Sequence, residues 1–266
     1  MRRVAILGLL PLAAATLSAQ STRAQRFLDN CDRNGSRDNE RFCDVRELSV
    51  PVTAALNVDG RQNGGITVHG WDKAEIHVTA MIQAQAESQA DAQAIAKQVS
   101  IGTSGGQVRA DGPRDLERNS SWSVSYEVYV PRRTNLTLNG SNGGLSVDGV
   151  QSKMELETQN GGINLTDVDG DIRGTTVNGG ITVDLSGDGW RGGGLELITT
   201  NGGVHVTVPT NYSANLDAST QNGGLDVGFP VRVQGSIGRR ISTQLGAGGA
   251  PIRLTTTNGG VSVRRR

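Results

Sequence analysis

Thr158-Gln159-Asn160-Gly161-Gly162-Ile163-Asn164-Leu165 is the stretch that decides the fold. Its core, Asn-Gly-Gly running into apolar-x-apolar, occurs seven times, starting at Asn63, Asn142, Asn160, Asn178, Asn201, Asn222 and Asn258. Thr recurs two residues before five of them, at Thr158, Thr176, Thr199, Thr220 and Thr256. The spacings are 18, 18, 23 and 21 residues from Asn142 to Asn222. The last, from Asn222 to Asn258, is 36 residues, or two units of 18, which predicts an unmarked unit there. Periods near 20 residues are the signature of solenoids.

Asn followed by Gly favours the positive φ of a tight turn, and the apolar-x-apolar run after it reads as a short strand. The same dipeptide marks antiparallel hairpins, so an antiparallel β-meander or sandwich competes with a solenoid. In a meander, equivalent positions lie two strands apart and do not touch; in a solenoid they stack at about 4.8 Å. Stacking accounts for the residue identities. A column of Asn can hydrogen-bond from rung to rung, a column of Thr can pack methyls and share hydroxyl bonds, and the aliphatic residues fill the interior. The expectation is an all-β, β-helix-like solenoid of roughly 18–23-residue rungs. About six of these over 136–266 would make a stack of ~30 Å.

The chain has 266 residues, 37 Gly, nine aromatics (three each of Phe, Trp and Tyr) and zero formal net charge. Such a core must be built from Val, Ile, Leu, Ala and Thr, which suits narrow layers of short strands. Nothing in the charge points to nucleic acid. The compact basic run Arg264-Arg265-Arg266 reads as protection of an end strand.

Residues 1–19 read as a signal peptide: Arg2 and Arg3, then an apolar stretch from Val4 to Leu17, then small residues at Ser18 and Ala19. That stretch is too short for a span of about 20 residues, and no transmembrane segment is expected in the mature chain. Residues 20–47 form a polar N-terminal segment; within it, Asp29 to Glu47 is expected to be irregular apart from a disulfide between Cys31 and Cys43, which an oxidising compartment favours. Residues 48–135 form an N-terminal β part with one helix at 83–98, rich in Ala, Gln and Glu, serving with Trp71 as an end cap. The expected location is exported: periplasmic, cell-surface or extracellular.

With these residues in view, the chain resembles the bacterial "putative adhesin" family of exported repeat domains, akin to the head domains of autotransporter-type adhesins. The likeness rests on Asn63 to Asp72, on Val130-Pro131-Arg132 leading to Leu136-Thr137-Leu138, and on Gly248 to Leu254 before Asn258, and it covers about 46–266. The resemblance implies a β-solenoid and an envelope location, and supplies no catalytic residues.

The search for chemistry finds little. His69 and His77 flank a turn with Asp72 and Glu75 nearby, but read as ordinary strand positions rather than metal ligands. Asn30-x-Asp32-x-Asn34-Gly35 imitates a calcium loop, yet its twelfth position is Arg41, not a bidentate Glu. Asp167 and Asp169 read as turn residues rather than a glycosidase pair. No Gly-x-Ser-x-Gly elbow or phosphate loop occurs, and no cofactor is expected. The five-residue excess between Asn178 and Asn201 predicts a bulge at Ser186–Gly192, where Trp190 and Arg191 are candidate ligand contacts. The function these features point to is a non-enzymatic adhesin-like interaction or scaffold module of the cell envelope, with an envelope protein or polysaccharide as partner. The alternatives are an envelope-stress accessory touching a membrane regulator and a glycan-acting β-helix enzyme.

Overall fold

A computed structural model describes residues 21–31, 39–228 and 238–266; the signal-peptide segment and the calcium-like positions 32–35 lie outside them. Two ten-stranded sheets face one another across a shared apolar core. Each repeat contributes one strand to each sheet, joined by its Asn-Gly-Gly turn. Gln151–Thr158 lies in the second sheet, for example, and Ile163–Thr166 in the first. Successive repeats pair in parallel and in register: Met154 opposes Ile172, which opposes Leu195, and Leu145, Ile163, Ile181 and Val204 follow one another across the first sheet. The repeat strands therefore form a parallel, solenoid-like stack. Antiparallel pairing is confined to the ends, as between Glu40–Val50 and Ile76–Ala86 and between Ala214–Asn222 and Arg240–Leu245.

The boundary expected at residue 136 does not separate two parts. Ile66–Trp71 pairs with Leu145–Asp148, and Ala55–Asp59 pairs with Asn135–Gly140, so the unit at Asn63 is a rung of the same stack. The helix is shorter than expected. Helix α2 spans Gln89–Gln98, with Ser88 as its N-cap accepting from the Asp91 amide at 3.2 Å, while 83–86 belong to the strand Ile76–Ala86. That strand is paired on both sides, so ladder hydrogen bonds override helix propensity until the cap. Ala92, Ile95, Ala96 and Val99 join the core at this end, and the Arg46 guanidinium donates to the Ala96 carbonyl at 3.0 Å and to that of Val99. Where it is described, the stretch expected to be irregular, Asp29 to Glu47, is regular at both ends. Helix α1 spans Ser21–Cys31, the strand Glu40–Val50 follows, and the Cys31–Cys43 disulfide joins them.

The order at the other end departs from chain order. Pro251–Asn258 lies between Gly194–Asn201 and Ala214–Asn222, and Val261–Arg265 lies between Val204–Val208 and Leu225–Val227. No strand of a hidden unit stands between Asn222 and Asn258, which are adjacent in register. The 36-residue gap holds instead the returning strand Arg240–Leu245 and residues 229–237, which are not described. The charge pattern agrees with the interleaving. On the outer face of the second sheet, Glu155, Arg173, Glu196, Arg253 and Asp217 follow in register, and Arg240 closes the row on Asp217 at 2.7 Å. The signs alternate along the whole row. Chain order would set Glu196 beside Asp217, a destabilising like-charge pair. Arg264 and Arg265 end the inner strand Val261–Arg265 and Arg266 follows it, with Arg264 on Asp226 at 3.0 Å and Arg266 on Asp184 at 2.6 Å, so this run does not guard a sheet edge.

Candidate functional site

The Asn column is a continuous ladder. Asn222 Nδ2 donates to Asn258 Oδ1, and donation continues through Asn201, Asn178, Asn160 and Asn142 to Asn63, at 2.8–3.0 Å throughout. The Thr column works differently from expectation. Each buried hydroxyl donates not to a neighbouring Thr but to the carbonyl of the first Gly of the adjacent rung, as Thr176 does to Gly161 and Thr199 to Gly179, both at 2.8 Å. The reason for Gly also differs. Of the seven first glycines, only Gly259 has a positive φ. At each, however, an added Cβ would fall 1.8–2.3 Å from a backbone carbonyl of the adjacent strand; at Gly161 that is the Gly143 oxygen at 2.1 Å. Close backbone approach, not turn handedness, demands Gly here.

Trp190 is corrected as a ligand contact. It is 6% exposed, packed into the core, and its Nε1 donates to the Gly170 carbonyl at 3.0 Å. Arg191 stays exposed beside Asp169 at 3.4 Å, and Asp167 accepts from the Ser186 hydroxyl. These carboxylates hold the bulge in place.

A different cluster gathers on the outer face of the first sheet, where four neighbouring strands meet. Register sets Glu127 between Thr67 and Thr79, and Tyr129 between His69 and His77. The Tyr129 ring stacks on His69 at 4.9 Å and meets Trp71 at 5.2 Å, while Lys73 Nζ lies 4.6 Å from the Trp71 ring. His69 Nε2 is 3.4 Å from the buried Glu127 carboxylate, and its Nδ1 is 3.7 Å from Asp148. From α1, Arg23 donates to the Thr67 hydroxyl at 2.5 Å. Burial, then the Glu127 charge, raises the Tyr129 phenol above its ordinary value, with Arg23 opposing. Two polar atoms here, His77 Nε2 and Thr79 Oγ1, are buried without a hydrogen-bond partner among the described residues. Among the described residues no group of three or more His, Cys, Asp or Glu is placed to hold a metal. The arrangement is instead a ledge of three rings beside two carboxylates. Periodicity could not find it, because its members lie 79 residues apart in chain terms, from His69 to Asp148. The alternating strands containing Trp71 and Tyr129 were the one usable signal.

Fold and site together define a parallel two-sheet repeat stack with a polar-aromatic patch on one face. The chain belongs to the Toastrack DUF4097 family, whose model matches residues 53–264. Among solved structures it is similar to a "putative cell adhesion protein" from Clostridium sporogenes, at 10% identity and TM-score 0.43, covering 85% of this chain and 100% of that one. It is also similar to a "putative adhesin" from Bacteroides fragilis, at 10% identity and TM-score 0.38, covering 84% and 97%. A third, a "putative lipid binding protein" from Parabacteroides distasonis, has 10% identity and TM-score 0.37, covering 84% and 96%. No curated protein matches the chain. No helix among the described residues is long and apolar enough to cross a membrane.

Proposed function

We propose that this chain is an exported, non-enzymatic, adhesin-like β-solenoid of roughly 18–23-residue rungs that binds an envelope polysaccharide at the ledge of His69, Trp71 and Tyr129. The observation that carries the reading is the contiguity of the three rings with Glu127 and Asp148. Ring faces pack against the apolar faces of sugars, and carboxylates accept from sugar hydroxyls. The Cys31–Cys43 disulfide supports an oxidising compartment, in keeping with removal of a leader at 1–19. A glycan screen with the mature protein tests this. Trp71→Ala and Tyr129→Ala are expected to weaken a saturable glycan at least about tenfold while melting normally, as the loss of a stacking contact worth ~1.4 kcal/mol would require. Absence of any glycan binding, or binding untouched by both variants, would refute it.

A further inference from the structure

The ledge brings rings and negative charge together. Glu127 and Asp148 stand on either side of His69, 3.4 Å from its Nε2 and 3.7 Å from its Nδ1. The Glu127 side chain is 8% exposed, so it acts through its field, whereas that of Asp148 is 57% exposed and open to contact. Three cations lie nearby, and each is engaged. Arg132 donates to Asp72 at 2.8 Å and to the Gly149 carbonyl at 3.0 Å, Lys73 lies 3.5 Å from Glu75, and Arg23 donates to the Thr67 hydroxyl. Arg132 feels the Asp148 charge, yet among the described residues the only ion-pair partner of Asp148 is His69.

The chain already holds one ammonium on this surface. Lys73 Nζ lies 4.6 Å from the Trp71 ring and close to Glu75, so a primary amine sits between a ring and a carboxylate. The ring is fixed in that position, since its Nε1 donates to the Glu75 carbonyl at 2.9 Å. The stacked pair of His69 and Tyr129, with Asp148 beside it, repeats the combination of ring and carboxylate without a lysine of its own.

We propose, resting on the polysaccharide reading of the ledge, that the polymer it takes is a hexosamine chain with free amines, one ammonium donating to Asp148 while sugar faces pack on His69, Tyr129 and Trp71. An ammonium is donor-only and makes charge-assisted hydrogen bonds to a carboxylate. Acetylating the amine removes its charge and keeps the sugar face, so it deletes one of the two contacts. A polymer of uronic acids would bring like charge to Glu127 and Asp148 and is disfavoured. Lys73 is a built-in competitor, because it covers the Trp71 ring and repels an incoming ammonium.

Calorimetric titration of the mature protein with a chitosan oligomer, the fully acetylated chitin oligomer of the same length, and polylysine tests this. Chitosan is expected to bind at least about tenfold more tightly than chitin, as one charge-assisted hydrogen bond implies. Asp148→Asn, an exposed change, should melt normally and bring the two oligomers to within about threefold of each other. Lys73→Ala should tighten chitosan by about threefold, the opposite of what loss of a supporting residue would do. Glu155→Gln, on the outer face of the second sheet, should leave chitosan binding unchanged. Equal binding of chitin and chitosan, or a preference that survives Asp148→Asn, would overturn the amine while leaving the ledge a sugar site. Polylysine binding as tightly as chitosan, or an equal loss in Glu155→Gln, would show charge alone at work and overturn it too. Binding of neither oligomer, together with an empty glycan screen, would overturn both this inference and the polysaccharide reading.

Discussion

Replacing Gly161 by Ala adds one methyl group where the stack has no room. The new Cβ would lie 2.1 Å from the Gly143 carbonyl oxygen, 2.5 Å from its carbon and 3.0 Å from the Gly144 nitrogen. A normal separation of roughly 3.5 Å requires the two rungs to part by more than about 1 Å. Backbone cannot rotate away as a side chain can. Parting strains the Asn160–Asn142 amide bond at 2.8 Å, the Asn160 amide to Ser141 carbonyl bond at 2.6 Å and the Thr158 hydroxyl bond to Gly143 at 2.9 Å. Overpacking costs about 1–3 kcal/mol, and weakening two of these hydrogen bonds adds about 1 kcal/mol each, so the loss is ~3–5 kcal/mol. For a chain of this size that lowers the melting temperature by roughly 10 °C. Gly224, the second Gly of the sixth repeat, is the matched control: an added Cβ there meets nothing within 4 Å, and its φ is not positive. Gly224→Ala should therefore be neutral or raise stability by about 0.4–1 kcal/mol through the unfolded chain. Thermal melts followed by circular dichroism decide the matter. If the two variants melt within about 2 °C of each other, close rung approach is not what requires Gly.

Four further outcomes follow from the same geometry. Trp190→Ala removes a buried ring and its bond to Gly170, so urea unfolding should show a loss of about 3–5 kcal/mol, while glycan binding at the ledge survives in the folded fraction. The Cys31–Cys43 bridge closes a sequence separation of 12, a constraint worth ~3 kcal/mol; its reduction should free α1 and make Arg23 and Arg26 readily cut by trypsin, and equal cutting of oxidised and reduced protein would contradict this. Tyr126 carries a raised pKa, so its neutral form is favoured in the folded state: the stability it confers is full below the ordinary value of 10.0 and is lost as pH rises beyond it. Tyr126→Phe should blunt that alkaline loss in melts between neutral pH and high pH, and should cost little at neutral pH, because it deletes a buried hydroxyl without a close hydrogen-bond partner among the described residues. Deleting 251–266 removes strands that pair on both sides, so limited proteolysis should leave a core ending near Val208 rather than near residue 250.

How far the fold was legible depends on what encodes each part. The parallel stack was readable because register imposes identical neighbours: only stacked rungs give Asn160 an Asn on either side, and the ladder follows. The role of Gly was misread, since a tight turn and a close carbonyl select the same residue for different reasons, and sequence cannot separate them. The interleaved last rung was hidden because the Asn-Gly-Gly turn is the same in every copy. The information lay in the signs of Glu196, Asp217 and Arg253, which matter only once their neighbours are known. Trp190 drew attention as a large ring in a Gly-rich insertion, yet a chain with nine aromatics has reason to bury each one it can. The ledge was illegible because four strands from distant parts of the chain build it and its surroundings.

In the regular rungs the designed hydrogen-bonding groups are already matched. Thr hydroxyls meet Gly carbonyls, each interior Asn both accepts and donates, and the charged row on the second sheet alternates in sign. A ligand competing there would have to break an internal bond to gain one of its own, which leaves little net affinity. Recognition is favoured where matching fails. Among the described residues that happens at the Asn63 end of the stack, where the Asn ladder stops and His77 Nε2 and Thr79 Oγ1 lie buried and unmatched at the outer face. The disulfide-anchored α1 sits over this same end, with Arg23 on Thr67. A repeat that satisfies itself along its length thus concentrates its capacity to bind at the terminus where its period is broken.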